Sequence, residues 1–220
     1  MSIRLPFDRE AWKFAGVAAI CAILLGHVGP NMGWMGFIVT LFCLLFFRDP
    51  ERVHPRRKNV VVSPADGVVL NIVNVEPSAE LEIKGKRKKI SVFMSIFDVH
   101  VNRSPVPGTI EKIIYIPGKF FNAVLDKSSK DNEKQITHVK MDDGTRIVFV
   151  QIAGLIARRI RCDVSEGQKL AVGDRVGIIR FGSRVDIYIP EGATVQVEEG
   201  QIVVAGETVL AELAKEAAKA

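Results

Sequence analysis

The sequence predicts a mainly β protein that begins with an α-helical hairpin. Two uncharged, apolar runs lie close together in the first 50 residues. From residue 60 onward, short segments rich in β-branched residues alternate with Gly, Pro and Asp. The chain has 220 residues and a net charge of +5. We therefore expect a membrane hairpin of two short helices over residues 1–50 and a β domain over residues 51–220.

The two apolar runs, residues 14–28 and 33–47, are each shorter than the ~20 residues that a perpendicular membrane span requires. Gly29-Pro30-Asn31-Met32 separates them and predicts an uncharged turn. Positive residues flank the pair and are missing from the turn, so both ends of the hairpin are expected on the cytoplasmic face of the cell membrane. These residues are Arg4, Arg9, Lys13, Arg48, Arg52, Arg56, Arg57 and Lys58.

Two other interpretations of the apolar runs are weaker. A cleaved signal peptide would require an A-x-A-like site, and none follows the first run. Two buried core helices would need a larger protein around them. The pattern leaves open whether the hairpin crosses the bilayer or only dips into it. Cys21, Cys43 and Cys162 are widely separated, so neither a metal site nor a disulfide framework is indicated.

The β domain is predicted from strands at residues 60–62, 68–73, 90–94, 110–116, 147–150 and 185–189. Asp142-Asp143-Gly144 predicts a hairpin turn. The polar run 126–135 predicts a loop, and the Ala/Glu/Lys-rich residues 210–220 predict a terminal helix or a frayed end.

The β domain contains two internal echoes. Residues 164–176 and 197–209 share the pattern V-x-E-G-Q-x-x-x-x-G-[D/E]-x-V, and residues 64–69 are echoed by 105–110. The first pattern is similar to that of biotinyl and lipoyl domains, which are flattened barrels of β-hairpins. Two copies favour a barrel-sandwich rather than a repeat array.

Three residues are candidates for chemistry. Ser183 follows Gly182 between two apolar strands, where a glycine carbonyl lies beside a hydroxyl nucleophile. His100 lies in a segment unusually dense in polar groups, although a single histidine after a strand is more often structural. Asp66 lies in a turn, where an aspartate usually only caps its own backbone.

A serine, a histidine and an aspartate suggest a hydrolase, but the G-x-S-x-G motif is absent because Asp186 stands where the second glycine would be. The same trio could instead cleave its own chain. His100 would take the Ser183 proton, and Oγ would attack the Gly182 carbonyl to give an ester. Elimination from the ester would leave a dehydroalanine, which hydrolyses to an N-terminal pyruvoyl group.

Five motifs in order resemble the short form of the phosphatidylserine decarboxylase family. The resemblance extends from about residue 46 to about residue 190 of this chain. The motifs are F-F-R-D-P at 46–50, S-P-A-D-G at 63–67, F-D-V-H-V-N-R-S-P-V-P-G at 97–108, Q-I-A-G-L-I-A-R-R-I at 151–160 and F-G-S-R-V-D at 181–186.

This resemblance implies a proenzyme that cuts itself between Gly182 and Ser183 into a larger chain, 1–182, and a smaller chain, 183–220. Ser183 would become a covalent pyruvoyl cofactor that forms a Schiff base with phosphatidylserine in the bilayer, giving phosphatidylethanolamine and CO2. Asp66 and a histidine of the D-x-H segment would assist maturation. Longer members carry a second histidine where this chain has Arg103, which leaves the base open; His100 is the better placed candidate. The family also implies a homo-oligomer.

The alternative function is a non-catalytic, membrane-anchored adaptor that binds partner proteins through its lipoyl-like hairpins. A biotin or lipoyl carrier is less favoured because neither echo has a lysine at the expected hairpin tip. The basic turn at residues 84–89 lacks interleaved aromatic residues, so no nucleic-acid partner is expected. Attraction to a membrane surface is the simpler explanation of this turn. Arg56-Arg57-Lys58 and the apolar hairpin would hold the chain against an anionic leaflet.

Overall fold

The computed structural model describes residues 6–118, 132–154, 159–180 and 183–214. Its N-terminal part is a helical hairpin made of α1 (Arg9–Val28) and α2 (Pro30–Phe46). Asp8 caps α1 by accepting a hydrogen bond from the Glu10 amide at 2.9 Å. Gly29 alone joins the helices, so the predicted four-residue turn is wrong. Pro30 is compatible with the first position of a helix, where its missing N–H costs nothing, and α2 therefore begins there.

The two helices pack closely because small residues line their contact. A Cβ atom added to Gly36 would lie 2.6 Å from Ala22 Cα, and one added to Gly33 would lie 2.9 Å from Gly26 Cα. Side chains at these positions would therefore force the helices apart. Close backbone approach through small residues is typical of helix pairs in membranes.

The outer surface of the hairpin is apolar. Trp12, near the start of α1, and Trp34, near the start of α2, are both exposed and lie towards opposite ends of the hairpin. The 20-residue α1 is long and apolar enough to cross a bilayer, whereas α2 is a shorter apolar helix of 17 residues. This combination fits membrane association.

The rest of the described chain is mainly β, as the sequence predicts, and its strands pair antiparallel. Eight strands form a curled sheet in the order β13-β2-β3-β11-β7-β6-β5-β9, and two three-stranded sheets have the orders β1-β14-β12 and β4-β10-β8. The strands are β1 (Val60–Val62), β2 (Gly67–Val75), β3 (Arg87–Met94), β4 (Val101–Arg103), β5 (Gly108–Ile116), β6 (Lys134–Lys140), β7 (Arg146–Ala153), β8 (Ile160–Cys162), β9 (Lys169–Leu170), β10 (Arg175–Ile179), β11 (Ser183–Pro190), β12 (Thr194–Val195), β13 (Ile202–Val203) and β14 (Val209–Glu212), with one short 3-10 helix, Ala79–Leu81, before β3.

All six predicted strands and the hairpin turn at 142–144 are confirmed. Two local predictions are wrong. Lys134 and Gln135 belong to β6 rather than to a loop, because their side chains are buried in the sheet; residues 126–131 lie outside the described part. Residues 210–212 belong to β14 rather than to a helix, because Leu210 and Ala211 enter the core; residues 215–220 also lie outside it.

The sequence echoes correspond to two similar halves of the barrel-sandwich. The Gly173 amide donates to the Ser104 carbonyl at 2.8 Å, and the Gly206 amide donates to the Ser63 carbonyl at 2.7 Å. Both glycines have left-handed φ values, 77° and 75°. The His54 ring lies against both of them, and its Nδ1 donates to the Gly206 carbonyl at 2.9 Å.

The base of the hairpin packs on the β4-β10-β8 sheet through a second apolar cluster. Phe46 and Phe47 at the end of α2 are fully buried against Val99, Val101 and Ile178. The main core lies on one face of the eight-stranded sheet, and a smaller cluster with the 3-10 helix covers the other face. The hairpin is therefore part of the same packed structure as the strands β4 and β10.

We predict that Gly173→Ala destabilises the protein more than Gly167→Ala does. Both glycines have φ near 80°, so alanine costs about 1 kcal/mol of backbone strain at either position. Only at Gly173 would the new methyl group clash, with the His54 ring; an added Cβ at Gly167 meets nothing within 4 Å. Thermal unfolding in detergent should show the larger fall in Tm for Gly173→Ala.

The double variant His54→Ala, Gly173→Ala tests the cause of that difference. The fall in Tm caused by Gly173→Ala, measured between His54→Ala and the double variant, should be smaller than the fall it causes when the His54 ring is present. Equal effects of the two glycine substitutions in the presence of His54 would contradict the proposed contact.

Candidate active site

Ser183 begins the central strand β11 and is held by strands on both sides. It pairs with Met94 of β3 and with Ala153 of β7. The residue is fully buried, and its hydroxyl donates to the Met94 Sδ atom at 3.2 Å. A thioether is a weak acceptor that cannot serve as a base. Phe181 and Gly182 lie outside the described residues, and the peptide bond that precedes Ser183 begins there.

Asp66 lies in the turn that precedes β2. Its Oδ1 atom accepts from the Ala205 amide at 2.8 Å, and its Oδ2 atom accepts from Arg52 at 2.7 Å. Burial raises the pKa of the Asp66 carboxyl, and the Ala205 amide and Arg52 oppose this rise. Position 66 corresponds to Pro107 in the echo at residues 105–110, so one half of the fold has a carboxylate where the other half has none.

Asp66 and Ser183 are separated by one strand. Val68 of β2 pairs with Phe93 of β3, and the adjacent Met94 pairs with Ser183 of β11. Two strand spacings give about 10 Å between the backbones of β2 and β11. The structure therefore brings Asp66 to the same end of the sheet as Ser183, without a hydrogen bond between them.

His100 precedes β4 and is fully buried. The centroids of the His100 and Phe46 rings are 4.2 Å apart. The His100 Nδ1 atom is 2.9 Å from the Asp98 carbonyl oxygen. Because a carbonyl only accepts, Nδ1 carries a proton, and the lone pair of the neutral ring is on Nε2. Burial lowers the pKa of His100 to about 4, although Asp98 opposes the shift. His100 is therefore neutral at pH 7.

His100 also lies beside the chain that leads to Ser183. Its carbonyl accepts from the Ile179 amide at 3.4 Å, at the end of β10, and four residues later the chain enters β11. The turn Ser95–Asp98 links Met94 to His100, with the Ser95 amide donating to Asp98 Oδ2 at 2.7 Å. All three predicted residues thus lie at one end of the β domain, but in this structure they are not joined in a hydrogen-bonded triad.

Arg103 occupies the second histidine position of longer family members. Its side chain makes structural contacts. It is buried and donates to Asp49 Oδ1 at 3.0 Å and to the carbonyls of Pro50 and Gly173. Asp49 also binds Arg175, and its carboxylate therefore ties the end of the hairpin to both β4 and β10. The guanidinium is used to hold the chain in place, which leaves His100 as the histidine beside the site.

The sequence does not predict the polar neighbours of these residues. Arg52 reaches Asp66 from a linker with no local signal of the contact. Asn102 and Gln151 lie buried near Met94, and their amides are bonded to each other at 2.8 Å. The sequence does contain a signal for Gln151. This polar residue directly follows the apolar strand Ile147–Val150, where its amide must be buried and therefore needs hydrogen-bond partners.

A groove of about 510 Å³ lies beside α1, near the base of the hairpin. Phe14, Val17 and Ala18 of α1 and Cys43 of α2 give it an apolar wall. Glu10, Lys13 and Arg180 line it as well; Arg180 binds Glu10 at 2.6 Å and lies three residues before Ser183. The groove therefore joins an apolar surface of the hairpin to the charged side chains of Glu10, Lys13 and Arg180.

The chain is similar to known proteins over most of its length. The family model described as phosphatidylserine decarboxylase matches residues 39–211. Three similar proteins bear the name phosphatidylserine decarboxylase proenzyme. That of Paramagnetospirillum magneticum is 53% identical over 94% of this chain and 87% of its own length. Those of Cereibacter sphaeroides and Ruegeria pomeroyi are 50% and 51% identical, over 94% of this chain and 90% and 95% of their own lengths.

We predict that His100 makes the folded protein less stable in acid. Between pH 6.5 and about 4 the ring is protonated in the unfolded chain but neutral in the folded chain. The unfolded state then binds more protons than the folded state. The contribution of His100 to the free energy of unfolding is therefore fully present above pH 6.5 and is lost as the pH falls towards 4. Thermal unfolding of Ser183→Ala protein with and without His100→Gln, from pH 7 to pH 4.5, measures it. His100→Gln should make Tm fall less steeply as the pH is lowered. If the slope of Tm against pH is the same with and without the substitution, the pKa of His100 is not lowered in the folded state.

Proposed function

The chain belongs to the phosphatidylserine decarboxylase family, and we propose that it decarboxylates phosphatidylserine to phosphatidylethanolamine with a pyruvoyl group made from its own Ser183. One observation carries the proposal. Ser183 is the first residue of a central strand, buried directly after the Gly182 junction, at the end of the sheet where Asp66 and His100 also lie. The adaptor alternative gives no reason for this arrangement.

The first reaction is cleavage of the precursor. Ser183 Oγ attacks the Gly182 carbonyl carbon while His100 Nε2 accepts the hydroxyl proton, and the Gly182–Ser183 C–N bond breaks as its nitrogen is protonated. This leaves an ester between Gly182 and the Ser183 oxygen. Loss of the Ser183 Cα proton expels the Gly182 carboxylate, and water releases ammonia from the remaining enamine to leave the pyruvoyl group. The neutral state of His100 supports its role as the base.

The strand pairing would keep the two chains together after the cut. β11 pairs with β3 along all eight of its residues, from Ser183 to Pro190, and with β7 from Ser183 to Tyr188. β13 and β14 of the smaller chain also pair with β2 and β1 of the larger chain. The new terminus at residue 183 thus stays where Ser183 lay. Self-association of the cut protein remains a prediction from the family.

The pyruvoyl group fits the surroundings of residue 183. Its neighbours Met94 and Ala153 are apolar and fully buried, which would surround the reacting carbonyl with apolar side chains. Once formed, the group supplies an electron sink for the electron pair left when CO2 departs. His100 Nε2 is the proposed donor of the proton that replaces CO2 on the substrate α-carbon.

The lipid substrate would approach along the hairpin. The groove beside α1 offers an apolar wall for an acyl chain, and Lys13 and Arg180 are suited to the lipid phosphate. With both ends of the hairpin on the cytoplasmic side, Arg56, Arg57 and Lys58 would add attraction to an anionic leaflet. The substrate could then reach the site without leaving the bilayer.

We predict that Ser183→Ala abolishes both cleavage and activity. Without the hydroxyl there is no nucleophile and no source of the pyruvoyl group. The wild type should give two bands on a denaturing gel that co-elute in a native column, and should convert phosphatidylserine in mixed micelles to phosphatidylethanolamine. The variant should give one band of full length and no product.

Ser91→Ala is the matched control, because Ser91 is a fully buried serine of β3 in the same sheet and its hydroxyl has no partner among the described residues. It should be cut and active like the wild type. Decarboxylation by uncut Ser183→Ala protein would overturn the proposed cofactor, and continued cutting of that variant would overturn the proposed nucleophile.

A further inference from the structure

Three amide side chains form a buried cluster near the start of β11. Asn102 and Gln151 are fully buried and Gln135 is 4% exposed. Gln151 and Gln135 lie opposite each other on β7 and β6, in a row whose next member on β11 is Val185. Burying an amide is costly unless its hydrogen bonds are replaced. A cluster of three buried amides at this point therefore calls for an explanation beyond packing.

The amides form a chain that runs in one direction towards Ser183. Gln135 Nε2 donates to Gln151 Oε1 at 3.0 Å, and Gln151 Nε2 donates to Asn102 Oδ1 at 2.8 Å. Because Asn102 Oδ1 is used as an acceptor, the Asn102 NH2 group must face the other way, and it points at Met94 Sδ at 3.6 Å. The two glutamines thus fix which end of Asn102 faces the site.

The Asn102 NH2 group is held in place without a strong acceptor. Among the described residues its acceptor is the Met94 thioether, which accepts hydrogen bonds weakly. The Ser183 hydroxyl donates to the same sulfur at 3.2 Å. The amide nitrogen and the nucleophilic oxygen therefore both contact the Met94 sulfur, so only this side chain bridges Asn102 and the reacting group.

Attack by Ser183 creates a negative charge that needs such a donor. The charge develops on the carbonyl oxygen of residue 182, whose carbon is bonded to the Ser183 nitrogen. A preorganised amide N–H that has no strong partner beforehand gains its full hydrogen bond only when this charge appears. Interactions that strengthen in the transition state are the ones that accelerate a reaction.

We infer that Asn102 stabilises the oxyanion formed during self-cleavage, with Gln151 and Gln135 as positioning residues that orient its NH2 group. This inference rests on the self-cleavage proposed above. Met94 serves as the resting acceptor for both donors and is released by both when Oγ bonds to the carbonyl carbon. Asn102 keeps its own protons throughout, so the proton balance of the cleavage is unchanged.

The test follows cleavage of newly made precursor over time. Protein synthesised in a cell-free system with phospholipid nanodiscs is pulse-labelled, and the intact and cut chains are separated on denaturing gels during the chase. Asn102→Asp keeps the size of the side chain but presents oxygen in place of the donor. It should slow cleavage about 10²–10³-fold, the usual effect of losing one oxyanion donor. Gln151→Leu, which frees Asn102 to rotate, should slow cleavage by a smaller factor.

Two controls separate this role from a structural one. Met94→Leu removes the resting acceptor with little change of volume and should not slow cleavage, whereas slowing equal to that of Asn102→Asp would overturn the inference. In a Ser183→Ala background, Asn102→Asp and Gln151→Leu should unfold within a few degrees of the parent. The fraction of Asn102→Asp protein that does become cut should retain the wild-type KM, since Asn102 acts on the junction rather than on the lipid.

The outcomes distinguish the two proposals. Wild-type chain that is never cut would overturn the proposed function and the inference with it. If the wild-type chain is cut and Asn102→Asp is cut equally fast, the inference alone is overturned and the proposed function stands. If Asn102→Asp fails to fold, Gln151→Leu decides, and an unchanged rate for that variant would overturn the positioning role.

Discussion

The pairing of Ser183 with a strand on each side is the constraint on which the rest of the site depends. Met94 and Ala153 fix the backbone at the start of β11, so Ser183 has a defined place in the sheet. The same pairing would hold β11 along its length if the chain were cut before Ser183, as we propose. A reactive group formed at residue 183 would inherit a position that was set before the cut.

The helical hairpin and the site are joined by one short motif. Phe46 packs on the His100 ring, and Asp49 binds Arg103 of β4 and Arg175 of β10. A buried carboxylate shared by two guanidiniums is costly to disturb, since removal of one partner leaves charge without compensation. The segment that connects the hairpin to the β domain therefore also holds the strand next to His100, which keeps the site close to the apolar helices.

Local patterns predicted most of the architecture, but not the contacts between distant segments. Alternating β-branched residues identified the strands, and the repeated glycines identified the two halves of the barrel-sandwich because a left-handed φ leaves a mark in the sequence. The contact of Arg52 with Asp66, the His54 ring between two glycines and the amide chain behind Met94 all join residues far apart in sequence. Such contacts depend on the register of the strands, which no single segment specifies.

The most direct test of this account is the intact mass of the wild-type protein purified from the membrane. The account predicts two species, residues 1–182 ending in a free carboxylate and residues 183–220 with a mass one ammonia below that of the peptide with an amino-terminal serine. The smaller species should also resist Edman degradation and react with hydrazine as a ketone. A single chain of full length, or a smaller species with an intact amino-terminal serine, would contradict the claim that residue 183 becomes the reactive carbonyl.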